Sequence, residues 1–373
     1  MSHAPALDVD AWRARIPLLE RLVVLANCSH APPLDSVVRA LADYERSWHE
    51  RGMDWDAWIE QVEGARAAFA RLIGARPDEV AVVGSVSHAA SALATALDFG
   101  GPRTTILASP SEFPTVGHVW LAQERRGARV RWLERGPAGT APVEAYRAAL
   151  DERTALVSVA HGDFQTGALQ DVAAVAEAAR EVGALTFVDA YQTAGTRPLD
   201  VEALGADALA SGTLKYLLGL PGIAFLWVRP ELAERLRPTV TGWFGQADPF
   251  AFDPRTLAFA PGARRFDTGT PPIGPAYAAR AGIEAVLEAG PAAIGARIES
   301  LVGRLLAAGR AHGLEVLGPA EAHRRTPATA FRVPGDSHAL EAALRARGVL
   351  ASARGPALRL APHFFNTEHE VER

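Results

Sequence analysis

Short apolar runs rich in β-branched residues recur along the first two-thirds of the chain, at Val80–Gly84, Thr104–Ala108, Arg129–Leu133, Ala155–Ala160, Ala184–Asp189, Ala206–Ser211 and Ile223–Val228. Their length and the turn residues that bound them predict strands. Between them, Ala89–Leu97, Pro142–Leu150 and Val172–Val182 carry apolar residues at helical spacing. Strand–helix alternation over this length implies an α/β fold, a mostly parallel sheet covered on both faces. After about Arg237 the pattern changes. Thr239–Pro261 is rich in aromatics and turn residues and reads as a working loop. A long helix is expected to begin near Pro275 and run, with breaks, past Leu306. The tail from Leu314 reads as short strands with one helix, His338–Arg347, an α+β layout. The expected division is a large domain over 32–240 and a smaller one over 241–373, with segment 1–31 packed against the smaller.

Bulk numbers narrow this further. The chain has 373 residues, 49% hydrophobic and 22% charged, with a formal net charge of −5. That composition suits a globular protein able to bury a large core without disulfide or metal clips. Cys28 is the single cysteine, so neither an intrachain disulfide nor a Cys-rich zinc site can form, and no metal is expected. A reducing, cytoplasmic compartment fits this best. The first residues contain no apolar signal-peptide core, and no run approaches the roughly 18–20 apolar residues of a membrane span. Mild acidity with scattered arginines speaks against nucleic acid as a partner.

Three expected strand ends carry unusual residues, and in parallel sheets ligands gather at such ends. Gly84-Ser85-Val86-Ser87-His88 leads into a helix, where free N–H groups and the helix dipole favour an anion; taken alone, the segment is better explained by Ser87 acting only as the helix cap. Neither glycine-rich nucleotide fingerprint is present. Asp189 closes an apolar strand, where a carboxylate needs a partner such as a cationic ring nitrogen or, failing that, caps the next turn. Lys215 follows the next strand in Ser211-Gly-Thr213-Leu-Lys215, where burial would lower its pKa as Schiff-base chemistry requires.

In that order, anion loop, acidic strand end and lysine, together with "FVDAYQTAGTRPLDVEALGADALASGTLKYLLGLPGIAFLWV", the sequence resembles the class V branch of fold-type I pyridoxal-phosphate enzymes. The resemblance runs from about Leu25 to the C-terminus. It implies a three-layer large domain with a smaller α+β C-terminal domain, and pyridoxal 5'-phosphate bound to Lys215 as a Schiff base. It also implies that Asp189 pairs with the pyridine nitrogen, that Gln192 lies near the phenolic oxygen, and that Ser87, His88, Ser211 and Thr213 form the phosphate cradle. "SEFPT" resembles a kynureninase segment and implies that Phe113 stacks on the cofactor. In "AHGDFQTG", which supplies Thr166 as a further contact, Asp163 or Phe164 stands near the family's asparagine. "GWFGQ" and "RRFDTGTPP" resemble segments that reach a neighbouring subunit's site, implying a homodimer to whose shared sites Trp243 and Thr270 contribute. "ASARGPALRLAPHFFNTEHEVE" implies that Arg359 binds the substrate carboxylate, a task suited to its planar fork.

The machinery this implies serves several reactions on amino acids. An aminotransferase-type enzyme for a small amino acid is the leading expectation. A kynureninase-like hydrolase or a carbon–sulfur lyase is the close alternative, and a non-catalytic binding protein the remote one. Desulfurase chemistry is discounted, because Gly348–Arg354 holds no thiol and Cys28 is far away in sequence. Kynurenine itself is doubtful, since Gln192 and Leu214 replace the kynureninase histidine and aromatic. Side-chain selection is expected from loops 26–33, 239–254 and 363–366, with His30, Arg255 and His363 as candidate contacts.

Overall fold

The computed structural model describes residues 7–373. All seven expected strands join one sheet, in the order Val80–Val83, Ala224–Val228, Ala208–Gly212, Leu185–Asp189, Thr154–Ala160, Thr105–Ala108, Arg129–Trp132. From Ala208–Gly212 to Arg129–Trp132 the neighbours run parallel, joined by helical crossovers. Ala224–Val228 is antiparallel to both its neighbours, because the link from Gly212 to Ala224 is short and helix-free and a parallel return needs a longer crossover. Central strands are buried along their whole length, as a sheet covered on both faces demands. The edge strand Arg129–Trp132 is largely exposed, and its arginines discourage further strand pairing there.

Two helices, Asp35–Arg51 and Trp55–Leu72, were not among the expected elements; the first buries only Val37 and Ser47 fully and leaves Val38 and Trp48 exposed. They pack with Ile273–Ala289 on one side of the fold, and Phe69 stacks on Phe225 of the sheet at 4.5 Å. The expected long helix is two, Ile273–Ala289 and Pro291–Ala311, separated at Gly290 with φ 83°. Glycine tolerates that left-handed angle, and Pro291 starts the second helix because it needs no amide hydrogen there.

The C-terminal part forms a four-stranded antiparallel sheet, ordered Ser352–Arg354, Ala357–Leu360, Thr329–Arg332, Glu315–Leu317. Val23–Val24 runs parallel to Val349–Leu350. Asn27 Nδ2 donates to Val24 O and Ala361 O at 3.1 and 2.8 Å, which holds the following residues, Cys28 and Ser29, against the large sheet. Thr239–Pro261 contains only short 3₁₀ turns and is mostly exposed. Among the described residues no helix is long and apolar enough to cross a membrane.

Candidate active site

The parallel strands end at a cavity of about 420 Å³. Ser87, Phe113, Asp189, Gln192 and Lys215 all line it. They come from separate loops, and the sheet brings them together because each follows a strand whose C-terminal end points the same way.

Lys215 is the only lysine in the whole sequence, a signal plain in the composition that motif reading passes over. Every other basic side chain is an arginine or a histidine, and neither offers a primary amine for a Schiff base. Its Nζ lies 4.2 Å from the ring centroid of Tyr191 and 5.8 Å from that of Phe113. Burial pulls its pKa down to about 8, against the pull of the Asp189 carboxylate. Burial conversely raises Asp189, although Tyr191 N–H donates to its Oδ1 at 2.9 Å. A buried carboxylate and a readily deprotonated amine at one cavity suit a ligand that brings a positive nitrogen to one end and an electrophilic carbon to the other.

Gln192 donates from Nε2 to Cys28 O at 3.4 Å, while its buried Oε1 has no partner among the described residues. Ser87 is not the helix cap. Ser85 Oγ accepts from His88 N at 3.1 Å, and Ser87 Oγ lies 2.6 Å from Thr115 Oγ1 at the cavity wall. The hydroxyls beside the N-terminus of helix Val86–Ala96 thus form a polar corner suited to an anion.

Other expected contacts are placed elsewhere. Ser211 Oγ donates to Gly212 O at 3.0 Å and Thr213 Oγ1 to Leu220 O at 2.7 Å, so both hydroxyls are engaged with backbone. The His88 ring and Thr270 line a neighbouring cavity of about 250 Å³, which shares Gly84 with the first. Thr166 Oγ1 donates to Asp163 Oδ1 at 2.9 Å, and Asp163 pairs with Arg135 at 2.9 Å; this buried network braces the loop, and it is Phe164 that faces the cavity. Phe164 meets Phe113 edge-on at 5.1 Å. Trp243 packs among Trp55, Phe244, Phe250 and Phe252. His363 is fully buried, its Nε2 3.1 Å from Tyr216 O, and Arg255 is 86% exposed.

Arg359 is 1% exposed and does not line the cavity. Its Nη2 donates to Ser352 Oγ at 2.7 Å and Ser29 Oγ at 3.3 Å, and its Nη1 to Phe164 O. Among the described residues it has no carboxylate partner, and its buried Nε has no acceptor. Ser29, on the cavity wall, separates it from the cavity. Cys28, distant in sequence, is close in space: its carbonyl accepts from Gln192 Nε2. The thiol is 2% exposed, however, and faces no open surface.

Glu112 and Tyr191 were not singled out by sequence motif. Glu112 lies buried, its Oε1 accepting from Ser158 Oγ at 2.7 Å, and Ser158 Oγ in turn accepts from Trp120 Nε1 at 2.8 Å. Burial, with the Asp189 charge adding to it, pushes Glu112 up to about 8. At neutral pH Glu112 is therefore held toward its neutral form. A carboxylate inside the apolar-flanked "SEFPT" was the available clue.

Lys215 gives a direct pH prediction. After reductive ¹³C-methylation, the resonance absent from Lys215→Ala should titrate near 8 rather than near 10.5. Because the folded pKa lies below the unfolded one, the unfolded chain binds more protons between those values. This group's contribution to stability should accordingly rise with pH across that window. A midpoint above 10 would refute the burial argument.

Comparison with known proteins shows the family and the fold. The family model "Aminotransferase class-V" matches residues 25–366. An uncharacterized aminotransferase from Bacillus subtilis is 38% identical over 100% of this chain and 96% of its own. Kynureninase from Pseudomonas fluorescens is 29% identical, covering 92% of this chain and 85% of its own. The fold resembles the solved cysteine desulfurase of Thermococcus onnurineus, with TM-score 0.89 and 23% identity over 100% of this chain and 97% of that one.

Proposed function

The chain belongs to the class-V aminotransferase family of fold-type I pyridoxal-phosphate enzymes, and we propose that it is an aminotransferase-type enzyme acting on a small α-amino acid. Pyridoxal phosphate is its cofactor, and when bound it supplies the electron sink that activates the bonds at the substrate Cα. The observation that carries the cofactor assignment is the single lysine, held with lowered basicity at a cavity that also presents Asp189; the aminotransferase reading is supported by the family model and the 38% identical Bacillus subtilis relative.

The residues fit the cofactor. Lys215 would be the attachment point, Asp189 the partner able to keep the ring nitrogen protonated, and Phe113 an aromatic wall for the ring. Ser87 with Thr115 marks the phosphate end, and the unpartnered Gln192 Oε1 is free to accept a hydrogen bond. With its amine free, Lys215 would be the base placed to move a substrate Cα proton.

Arg359 is assigned to the substrate carboxylate. A buried guanidinium with no anionic partner is costly, and a carboxylate that displaces Ser29 would relieve it. Arg359→Lys is expected to raise KM about tenfold or more, since one ammonium cannot replace a bidentate fork. Steady-state kinetics would show this, and an unchanged KM would remove Arg359 from substrate binding. The exposed aromatics Phe250 and Phe252, at 59% and 73%, support a homodimer in which Trp243 and Thr270 approach the partner's site.

Transamination is tested by mixing holoenzyme with candidate amino acids. One equivalent of keto acid per bound cofactor is expected, and no more until a second keto acid is supplied. A hydrolase of kynureninase type is the second reading, favoured by the Phe113–Phe164 pair, which would seat an aromatic side chain. Sustained turnover with no keto acid present would transfer the assignment to it.

A further inference from the structure

Tyr191 stands two residues beyond Asp189, and neither the cofactor contacts nor the substrate contacts described above use its side chain. Its ring lines the cavity and comes within 4.2 Å of Lys215 Nζ. Its backbone is tied to Asp189 Oδ1 at 2.9 Å. The same amine meets the Phe113 ring at 5.8 Å, so Lys215 has an aromatic ring from each of two different loops. Space for Tyr191 is made by Gly212. A Cβ at that position would fall 2.3 Å from Tyr191 Cζ and 2.4 Å from its hydroxyl oxygen, distances no side chain could accept with the phenol in place. The neighbouring hydroxyls of Ser211 and Thr213 are engaged with backbone, which leaves the phenol to fill this stretch of wall.

We propose that Tyr191 is a positioning residue for the cofactor: its ring forms the second aromatic wall of the slot between Asp189 and Lys215, opposite Phe113, and Gly212 is glycine so that this wall can stand. The inference rests on the pyridoxal-phosphate reading of the site. A protonated pyridine ring is planar and cationic, and aromatic faces attract such a ring both by stacking and through the ring quadrupole. Two walls also fix its tilt, which decides how the bonds at the substrate Cα align with the ring.

The test uses the full-length protein as wild type, Tyr191→Phe, Tyr191→Ala and Gly212→Ala, with far-UV circular dichroism and melting curves to confirm folding. The ¹³C-methylated Lys215 resonance, read without cofactor, should shift in Tyr191→Ala through loss of the ring current and stay near its wild-type position in Tyr191→Phe. Pyridoxal phosphate retention, measured by equilibrium dialysis, should weaken roughly tenfold or more in Tyr191→Ala and stay within about threefold in Tyr191→Phe. Gly212→Ala should resemble Tyr191→Ala although it removes no group, because its methyl pushes the phenol aside. The visible dichroism of the bound cofactor should change in these two variants and be restored in Tyr191→Phe. Wild-type retention and dichroism in a folded Tyr191→Ala protein would overturn this inference alone. A wild-type protein that takes up no pyridoxal phosphate would overturn the assigned cofactor site as well, while the cofactor-free resonance would still report whether the ring contact exists.

Discussion

Replacing Lys215 by alanine is expected to abolish covalent cofactor attachment and to lower turnover by about 10³-fold or more, since one side chain provides both the nucleophile and the acid–base group. No other lysine exists to take over, and the arginines around the cavity cannot lose a proton at working pH. Borohydride reduction of the wild-type holoenzyme should fix the cofactor to one peptide, the one that contains Lys215. In the variant, added pyridoxal phosphate should be removed by gel filtration and leave no label. Folding should be retained, because Lys215 makes no ion pair among the described residues and deleting a buried amine with lowered pKa removes a desolvation cost. Turnover within tenfold of wild type would sink the assignment, as would label found at the N-terminal amine.

The second large effect is on stability. Arg66→Met is expected to cost about 3–5 kcal/mol, because it leaves the carboxylate of Asp267 buried without its counter-charge. Arg66 is 2% exposed, with Nη2 2.8 Å from Asp267 Oδ2, and it also donates to Val80 O. Asp267 Oδ1 accepts from Val82 N at 2.7 Å. The pair thus clamps the loop Asp267–Pro272 onto the strand Val80–Val83, whose end becomes the Gly84–Ser87 corner of the active site. Denaturant unfolding of the holoenzyme would measure the loss. The double variant Arg66→Met/Asp267→Leu should recover part of it, though not the bonds to Val80 and Val82. A single-variant cost below 1 kcal/mol would show that water or a rearranged partner already compensates the charge.

The local pattern was enough to find the sheet and to name several residues that the fold gathers at one cavity. Asp189 and Lys215 are legible because a charged residue at the exit of an apolar strand stands out in one dimension, and each strand end in a parallel sheet meets the others in space. Gln192, from the loop after Asp189, and Phe113 and Ser87, from two other strand ends, line the same cavity. The helices Asp35–Arg51 and Trp55–Leu72 were not singled out from the sequence, although apolar residues recur at helical spacing, as Trp58, Val62, Ala65 and Phe69 do in the second.

Sequence alone therefore determined the alternation of strands and helices, the mostly parallel sheet, the family and the one amine able to hold the cofactor. Those depend on short-range periodicity and on residue chemistry that no folding can change. Only the tertiary structure decided which polar groups turn inward. Ser211 and Thr213 flank a functional glycine yet bond to backbone, Ser85 takes the cap expected of Ser87, and Arg359 is sealed behind Ser29. It also decided that Tyr191 occupies the space left at Gly212, and that Cys28 and Ser29, from the other end of the chain, reach the site. The physical reason is competition. A hydroxyl or guanidinium has several acceptors within reach, and which one it takes depends on atoms hundreds of residues away that only the packed fold brings near.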